Sequence, residues 1–171
     1  MKIREITVSA VLIAAALTIF IIESHIPPLV PLYGVKPGFA NIITLVTLSL
    51  WNRQKSFYIL FLRIIIASVV TGSGIAVLYS LSGGFFCFAA MIVMQKITGG
   101  KHMPAISMVG GVFHNIGQLL TAAVVLGSTS VFVYFPILVS SGIAAGFFTG
   151  IIAGVCVKNK YIKRLFAELK K

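Results

Sequence analysis

The sequence predicts an all-α, polytopic membrane protein with six transmembrane helices and with both termini in the cytoplasm. Of its 171 residues, 58% are hydrophobic and 10% are charged, whereas about a quarter of the residues of a soluble domain are charged. The mean hydropathy is +1.06. The basic residues are concentrated in short segments between long apolar runs, which is the distribution expected of a helical membrane protein.

Six apolar runs are separated by polar, glycine-rich or proline-rich segments, and each run is assigned to one span. The first run is not followed by a small-x-small cleavage pattern, so we expect a retained helix and not a signal peptide. The second run is shorter than the ~20 residues of a comfortable crossing, and alone it could form a re-entrant segment. The predicted spans are residues 6–22, 38–51, 57–71, 76–94, 105–126 and 131–157.

The charge distribution favours a crossing by the second run. If that run crosses, all four basic segments face one side of the membrane, which the positive-inside rule identifies as the cytoplasm. If it does not cross, Lys2 and Arg4 face away from the other three segments. The basic ends are also expected to contact anionic membrane lipid, so the net charge of +11 does not indicate a nucleic-acid partner. The four basic segments contain Lys2 and Arg4, Arg53 and Lys55, Lys96 and Lys101, and a C-terminal group of Lys158, Lys160, Lys163, Arg164, Lys170 and Lys171.

The longest outer connection, residues 23–37, is rich in proline. Proline restricts the backbone and removes a hydrogen-bond donor, so we expect an ordered, non-helical loop. The loop is either a plain connector or a cap over an outward-facing cavity, and its length, Tyr33 and Lys36 favour the cap. Because the other outer connections are short, residues 1–171 are expected to form a single transmembrane domain.

The fifth predicted span carries three strongly hydrogen-bonding side chains on one helical face, namely His114, Asn115 and Gln118. Ser107 and Thr121 extend the same stripe. Polar groups at membrane depth are costly unless they meet a partner or a wet cavity. The stripe either joins helices by hydrogen bonds or contacts a ligand, and its clustering beside glycines favours the ligand.

Four further polar residues need partners. Arg63 lies inside the third span and is a structural hub, a snorkelling residue or a contact for a ligand anion. Glu23 ends the first span, where it can pair with Lys36, accept from a ligand or mark the interface. Asn41 can cap the second helix or donate into a cavity. Lys36 is either solvated or a partner for a carboxylate, a phosphate or an aromatic ring.

Small residues recur at every fourth position in two spans. Ala10 and Ala14 have this spacing in the first span. The sixth span repeats glycine, which lets two helix backbones approach closely. The neighbouring helix belongs either to the same chain, which is favoured, or to another subunit. The glycines are Gly142, Gly146, Gly150 and Gly154.

The sequence lacks the residues that several kinds of chemistry require. The sequence has no Gly-x-x-x-x-Gly-Lys-Ser/Thr motif for nucleotide hydrolysis, and no paired carboxylates that would hold the magnesium of a diphosphate enzyme. The histidines show no metal-ligand spacing, and Cys87 and Cys156 fall in apolar spans, so no disulfide is expected. We therefore expect neither an enzyme nor an intrinsic cofactor or metal.

Five segments carry a resemblance to a known family: Glu23 with the prolines after it, Gly34-Val35-Lys36-Pro37-Gly38-Phe39-Ala40-Asn41, Arg63, Ser80-Leu81-Ser82-Gly83-Gly84, and His114-Asn115-Ile116-Gly117-Gln118. Over residues 10–154 the chain resembles the Gx transporter family, labelled heptaprenyl diphosphate synthase component I. That family is similar to the substrate-binding S components of energy-coupling factor (ECF) vitamin transporters. Pro37 and Phe39 stand where leucines are expected.

The resemblance implies a six-helix S-component fold in a bacterial plasma membrane, with one substrate-binding domain and a site under the first outer loop. It also implies that Ala10 and Ala14 contact a membrane-embedded coupling subunit, and that separate ATPase subunits hydrolyse ATP. The expected ligand-binding residues are Glu23, Tyr33, Lys36, Phe39, Asn41, Tyr79, His114, Asn115 and Gln118, with Arg63 either structural or linked to the substrate.

The family's association with flavin supply implies riboflavin, FMN or FAD as the transported ligand. Amide and imidazole groups can pair with the isoalloxazine edge, Tyr33, Phe39 or Tyr79 can stack on it, and Lys36 can meet a phosphate. Another vitamin or an isoprenoid precursor stays open as the ligand. Two other functions also stay open, namely a noncatalytic membrane partner of a prenyl-diphosphate synthase and a scaffold subunit of a membrane redox complex that docks through residues 142–154.

Overall fold

The computed structural model describes residues 3–26, 36, 38–72 and 74–170. The described residues form helices and no strand, which confirms the all-α prediction. A 3-10 helix at Thr129–Tyr134 leads into the sixth α-helix. The α-helices are α1 (Ile3–Ser24), α2 (Asn41–Leu50), α3 (Arg53–Thr71), α4 (Gly74–Thr98), α5 (Met103–Leu126), α6 (Phe135–Lys158) and α7 (Lys160–Leu169).

Four helical segments are long and apolar enough to cross a membrane: α1, α4, α5 and the segment Thr129–Lys158. They support a multi-pass membrane protein. Helix α3 has 19 residues but contains three cations, Arg53, Lys55 and Arg63. Helix α2 has 10 residues, which at 1.5 Å per residue cover about half of the ~30 Å hydrocarbon core. The count of six spans and the cytoplasmic termini therefore stay predictions.

Helix α2 begins later than the predicted second span because of Gly38. The φ angle of Gly38 is +86°, a left-handed conformation that an α-helix does not contain. The chain turns at Phe39 and Ala40 before α2 starts at Asn41. The helix ends at a second turn, where the side chain of Asn52 accepts a hydrogen bond from the backbone N–H of Lys55 at 2.8 Å and starts α3.

The starts of α1 and α3 lie together with α7 at one end of the bundle. Lys55 on α3 forms a salt bridge of 3.0 Å with Glu5 on α1, and Arg4 forms one of 2.5 Å with Glu168 on α7. Lys36 lies at the opposite end, beyond the last turn of α1. We call the end that holds the starts of α1 and α3 the basic end. The grouping agrees with the charge argument, and the side of the membrane that it faces stays a prediction.

Glycines on α6 let this helix pack against the backbone of α5. A Cβ atom on Gly146 would lie 2.5 Å from Cα of Met108, and one on Gly150 would lie 2.5 Å from Cα of Pro104. A Cβ atom on Gly154 would meet its nearest atom at 3.6 Å. The neighbour of this face therefore lies in the same chain, and α5 covers the surface that the scaffold alternative assigned to another subunit. The row consists of Gly142, Gly146, Gly150 and Gly154.

Helix α7 has no counterpart among the predicted elements. Phe166 and Leu169 are buried on one side of it and pack against Ile13 of α1, Ile59 of α3 and Trp51, which follows α2. The rings of Phe166 and Trp51 meet edge to face, with centroids 5.6 Å apart. The C-terminal segment is therefore a docked amphipathic helix with its basic residues on the outside, and not only a charged tail.

Candidate functional site

A buried polar cluster lies at the end of the bundle opposite the basic end, where α1, α2, α3 and α5 meet. It consists of Glu23, Asn41, Arg63, His114 and Gln118, each of which is at most 5% exposed. The sequence predicted four of them as ligand-binding residues and left Arg63 either structural or linked to the substrate; they come from four separate helices. The fold brings them together, and we refer to them below as the polar cluster.

Glu23 fixes the end of the first outer connection. Its Oε1 accepts hydrogen bonds from the backbone N–H groups of Gly38 and of Phe39, the latter at 3.2 Å. Glu23 forms no salt bridge with Lys36 among the described residues, although it lies near the charge of Arg63. A carboxylate that accepts two backbone donors holds the backbone of Gly38 and Phe39 on the cluster.

Asn41 lies between Arg63 and His114. Nη2 of Arg63 donates to Oδ1 of Asn41 at 3.5 Å, and the amide nitrogen of Asn41 faces Nδ1 of His114 at 3.4 Å. Both distances are at the long end for hydrogen bonds. Asn41 does not cap α2, because the residue at the cap is Ala40 and no side chain bonds there. The side chain therefore belongs to the cluster and not to the helix terminus.

Two glycines allow the backbone to approach the imidazole of His114. A Cβ atom on Gly38 would lie 3.0 Å from its Cδ2, and one on Gly83 of α4 would lie 2.8 Å from its Cε1. On the same turn of α4, the hydroxyl of Ser82 donates to the carbonyl of Gly117 at 2.7 Å. The sequence pattern did not assign Gly38 or Gly83 to the site. The signal for them is that both lie in segments that carry the family resemblance, and that glycine and serine interrupt apolar runs at those positions.

Three buried polar atoms have no hydrogen-bond partner among the described residues, namely Nε of Arg63, Nε2 of His114 and Oδ1 of Asn115. Most buried polar atoms in folded proteins are paired, and an unpaired one costs about 1–3 kcal/mol. Two of the three atoms belong to the polar cluster. The cluster therefore retains hydrogen-bonding capacity that a ligand or a water molecule can use.

The first outer connection contacts the cluster through Lys36 as well. The backbone N–H of Lys36 donates to Oε1 of Gln118 at 3.3 Å. Its ammonium lies 3.9 Å from the centroid of the Phe20 ring, a cation–π contact. Burial lowers the pKa of Lys36, and the negative charge of Glu23 acts in the opposite direction. Lys36 is thus a partly buried cation at the rim of the cluster and not a fully solvated one.

The interior side of the cluster is nearly closed. A cavity of about 10 Å³ lies beside Gly38 and Asn41 and reaches Ser107 and Thr149, which is room for about one water molecule. Ser107 and Thr149 are hydrogen bonded to each other at 2.7 Å. This cavity is therefore too small for a ligand larger than water.

The side chains of the polar stripe predicted on α5 fall into two groups with different partners. His114 and Gln118 join the polar cluster, whereas the amide nitrogen of Asn115 donates to the carbonyl of Leu138 at 2.6 Å and to Oγ of Ser141 at 3.1 Å. Both partners of Asn115 lie on α6. Asn115 thus forms an interhelical contact of the kind that the sequence left open for the whole stripe.

The aromatic residues predicted to stack on a ligand are scattered. Tyr79 is buried in an apolar group with Leu119 and Leu138 and lies outside the polar cluster. Phe39 is half-buried beside Gly38. Tyr33 lies outside the described residues, as do the prolines of the first connection. Of the three aromatics, Phe39 alone is placed next to the cluster by the described residues.

The two alanines assigned to a coupling subunit, Ala10 and Ala14, are exposed on α1. Along the described parts of the chain, no three His, Cys, Asp or Glu side chains lie close enough together to hold a metal ion. Cys87 and Cys156 are both free thiols.

A family model described as heptaprenyl diphosphate synthase component I matches residues 12–156. This match covers the helices α2 to α5 completely and most of α1 and α6. No curated protein and no solved structure matches the chain.

Proposed function

The chain belongs to the heptaprenyl diphosphate synthase component I family, a family of noncatalytic subunits, and from this premise we propose that it is the substrate-binding membrane subunit of an ECF-type transporter. The ligand that we propose is a flavin, taken up at the outer face of a bacterial plasma membrane. The protein does not carry out catalysis itself. A coupling subunit in the membrane and separate ATPase subunits would supply the energy for translocation.

The observation that carries the proposal is the polar cluster with its unpaired atoms. Nε of Arg63 and Nε2 of His114 are buried without partners among the described residues, at the end of the bundle where Lys36 and Gly38 contact the polar cluster. A cluster that served only to join helices would be expected to satisfy its own members. Unpaired atoms in such a cluster are better explained by a ligand that completes the hydrogen bonds.

A flavin suits this arrangement chemically. The uracil-like edge of isoalloxazine presents alternating carbonyl and N–H groups, which the side chains of Asn41, His114 and Gln118 can pair with. Phe39 can contact the face of the ring. In FMN or FAD, the ammonium of Lys36 can meet the phosphate. A polar ligand edge bound in this way is rigid and planar, so little conformational entropy is lost on binding.

Loop displacement is the step that admits the ligand in this proposal. Glu23 holds the backbone at Gly38 and Phe39, and Gln118 holds the backbone at Lys36. Binding of the ligand to Gln118 and His114 would replace the second of these contacts. The exposed alanines of α1, Ala10 and Ala14, would then form the contact with the coupling subunit.

Flavin fluorescence titration tests the proposal. We expect riboflavin fluorescence to be quenched on binding to the purified protein in detergent, and the variants His114→Ala and Gln118→Ala to bind at least about 5- to 10-fold more weakly, because each loses a buried hydrogen bond. Thr121→Ala is the matched control. Thr121 lies on the same helix and bonds the carbonyl of Gly117 at 3.1 Å, so its loss should leave binding unchanged.

Thermal unfolding of each variant without ligand separates binding from folding. The proposal requires that His114→Ala or Gln118→Ala weaken binding by more than the loss of folded protein accounts for. If wild-type protein quenches neither riboflavin, FMN nor FAD, the flavin assignment is wrong. If the variants lose binding only in proportion to their folded fraction, the cluster is structural.

The family description favours one alternative, a noncatalytic membrane partner of a prenyl-diphosphate synthase. Its support is the printed description of the matched family, heptaprenyl diphosphate synthase component I, which implies a second component. Co-purification of a soluble synthase with the full chain, and loss of synthase activity when the chain is withheld, would support this alternative. Undiminished activity of the synthase alone would exclude it.

A further inference from the structure

A groove at the basic end of the bundle is much larger than the cavity beside the polar cluster. Its volume is about 530 Å³, against about 10 Å³ for the other. The groove lies where the ends of α2, α4 and α6 meet the starts of α3 and α5. We call it the basic-end groove. Its walls include Ser49, Arg53, Gln95, Lys96, Met103 and Val157.

The charged residues that line the basic-end groove are both cations. Arg53 comes from α3 and Lys96 from α4, and both are exposed. Neither belongs to the salt bridges found within the described parts of the chain, which use Glu5 and Glu168. The remaining acid, Glu23, lies at the opposite end. The groove therefore carries positive charge that no carboxylate lining it balances.

Polar groups hold the shape of one wall. The amide nitrogen of Gln95 donates to Oγ of Ser49 at 2.8 Å, and that hydroxyl donates to the carbonyl of Leu45 at 2.8 Å. Helix α5 begins at Met103, and its preceding residue, His102, forms no side-chain cap. The positive end of the α5 dipole is thus left without a capping side chain next to the groove.

The remaining wall is apolar. Met103 belongs to the main hydrophobic core, and Val157 packs against that core. A ligand with an anionic head and an alkyl part would contact cations and apolar surface at once. The basic end is also the end that the charge distribution places at the cytoplasmic interface, where anionic lipids lie.

From these observations we propose that the basic-end groove binds the anionic phosphate head group of a membrane amphiphile. The guanidinium of Arg53 and the ammonium of Lys96 donate to the phosphate oxygens, and the first carbons of the alkyl chain contact Met103 and Val157. Free pyrophosphate shares the chemistry of the head group without the alkyl part. No residue of the groove belongs to the polar cluster, so this proposal stands independently of the flavin.

Native mass spectrometry of the full chain in neutral detergent tests the proposal, with dioleoylphosphatidylglycerol as the probe and dioleoylphosphatidylcholine as the uncharged comparison. We expect the double variant Arg53→Gln/Lys96→Gln to bind phosphatidylglycerol about 30-fold more weakly than wild type, which corresponds to the loss of two cations that each contribute about 1 kcal/mol near a phosphate. The matched control is Lys163→Gln/Lys170→Gln, which removes the same charge from exposed positions on and just after α7 and should bind like wild type.

Competition by pyrophosphate would show that the anion alone suffices, and failure to compete would show that the alkyl chain is needed; both results support a phosphate site. Equal binding by wild type and by Arg53→Gln/Lys96→Gln overturns the proposal. Equal weakening in the two double variants, or equal binding of both lipids, overturns it too, because either result indicates unspecific association. If the double variant does not fold, Lys96→Gln alone must still show a several-fold loss.

Discussion

Gly38 joins the backbone of the first outer connection to the polar cluster. Its φ of +86° is strained for any other residue, and its missing side chain leaves room for His114 and Asn41. The N–H of the same residue donates to Glu23. One position thus combines a turn, a close contact and a hydrogen bond, so the cluster and the backbone at Gly38 and Phe39 are expected to respond together to its mutation.

Gly38→Ala should destabilise the protein by about 2–4 kcal/mol. About 1–2 kcal/mol comes from the left-handed backbone, and the rest from contact of the new Cβ with Asn41 and His114, whose nearest atom lies at 2.9 Å. Gly72→Ala is the matched control, since Gly72 has a φ of +64° and nothing within 4 Å of a Cβ. Reversible thermal unfolding in detergent measures the stability of both variants. Equal losses of stability would show that the contact between the new Cβ and the cluster does not contribute to the destabilisation.

Residue identity predicted four members of the polar cluster as ligand-binding and left Arg63 either structural or linked to the substrate, but it did not predict their partners. His114, Gln118, Arg63, Asn41 and Glu23 are conspicuous because polar groups are rare in apolar spans, and the fold gathers all of them. The partners of Glu23 are backbone N–H groups, which leave no trace in residue type. Sequence spacing also grouped Asn115 with the stripe, because neighbouring positions on a helix can face different helices in a tight bundle.

At the scale of elements, the packing of α5 against α6 depends on glycine more than on interlocking side chains. Close backbone approach is the usual way in which helices associate in lipid, where apolar burial gives no net drive. The recurrence of glycine at every fourth position predicted a helix–helix contact. It did not identify the partner helix, because the same pattern serves contacts within a chain and between chains.

Gly146→Ala should destabilise the bundle by about 1–3 kcal/mol, because the added Cβ is forced against a backbone that cannot move aside. The nearest atom is Cα of Met108 at 2.5 Å. Gly154→Ala, at the end of the same row with its nearest atom at 3.6 Å, should be neutral or more stable by up to ~1 kcal/mol. Denaturant unfolding in mixed micelles compares the two, and similar losses in both variants would contradict the packing described for α5 and α6.

Phe166→Ala should release α7 from the bundle. Phe166 is 3% exposed and meets Trp51 edge to face, so its truncation costs about 3 kcal/mol of local stability. Limited trypsin digestion should then cut at Lys163 and Arg164 much faster than in wild type. Tyr161→Ala, which removes a ring that is 72% exposed on the same helix, should leave the cleavage rate unchanged; equal acceleration in the two variants would contradict the docked position of α7.

Helix α7 also shows what limits prediction of elements from sequence. Ile162, Phe166 and Leu169 have the spacing of one helical face, but the basic residues between them match an interfacial tail equally well. The choice between a docked helix and a tail depends on the surface that Trp51 and Ile13 present. That surface exists only once α1 and α3 are folded together.

At the scale of the whole molecule, two ends with different chemistry define the protein. One end gathers cations around the basic-end groove, and the other buries Glu23 and Arg63 with amide and imidazole groups. The sequence predicted the membrane class and the separation of charge, because each of these properties depends on many residues together and not on any single contact. The number of spans cannot be read in the same way, because α2 is short and α3 carries cations within its apolar sequence.

The central claim is that the polar cluster holds a small molecule. The most direct measurement is mass spectrometry of the compounds released by denaturing protein purified from its native membrane, with His114→Ala purified in parallel. The account predicts that wild-type protein releases a flavin in near-equimolar amount and that the variant releases far less. Wild-type protein that releases no small molecule beyond lipid, or the same amount as the variant, would contradict it.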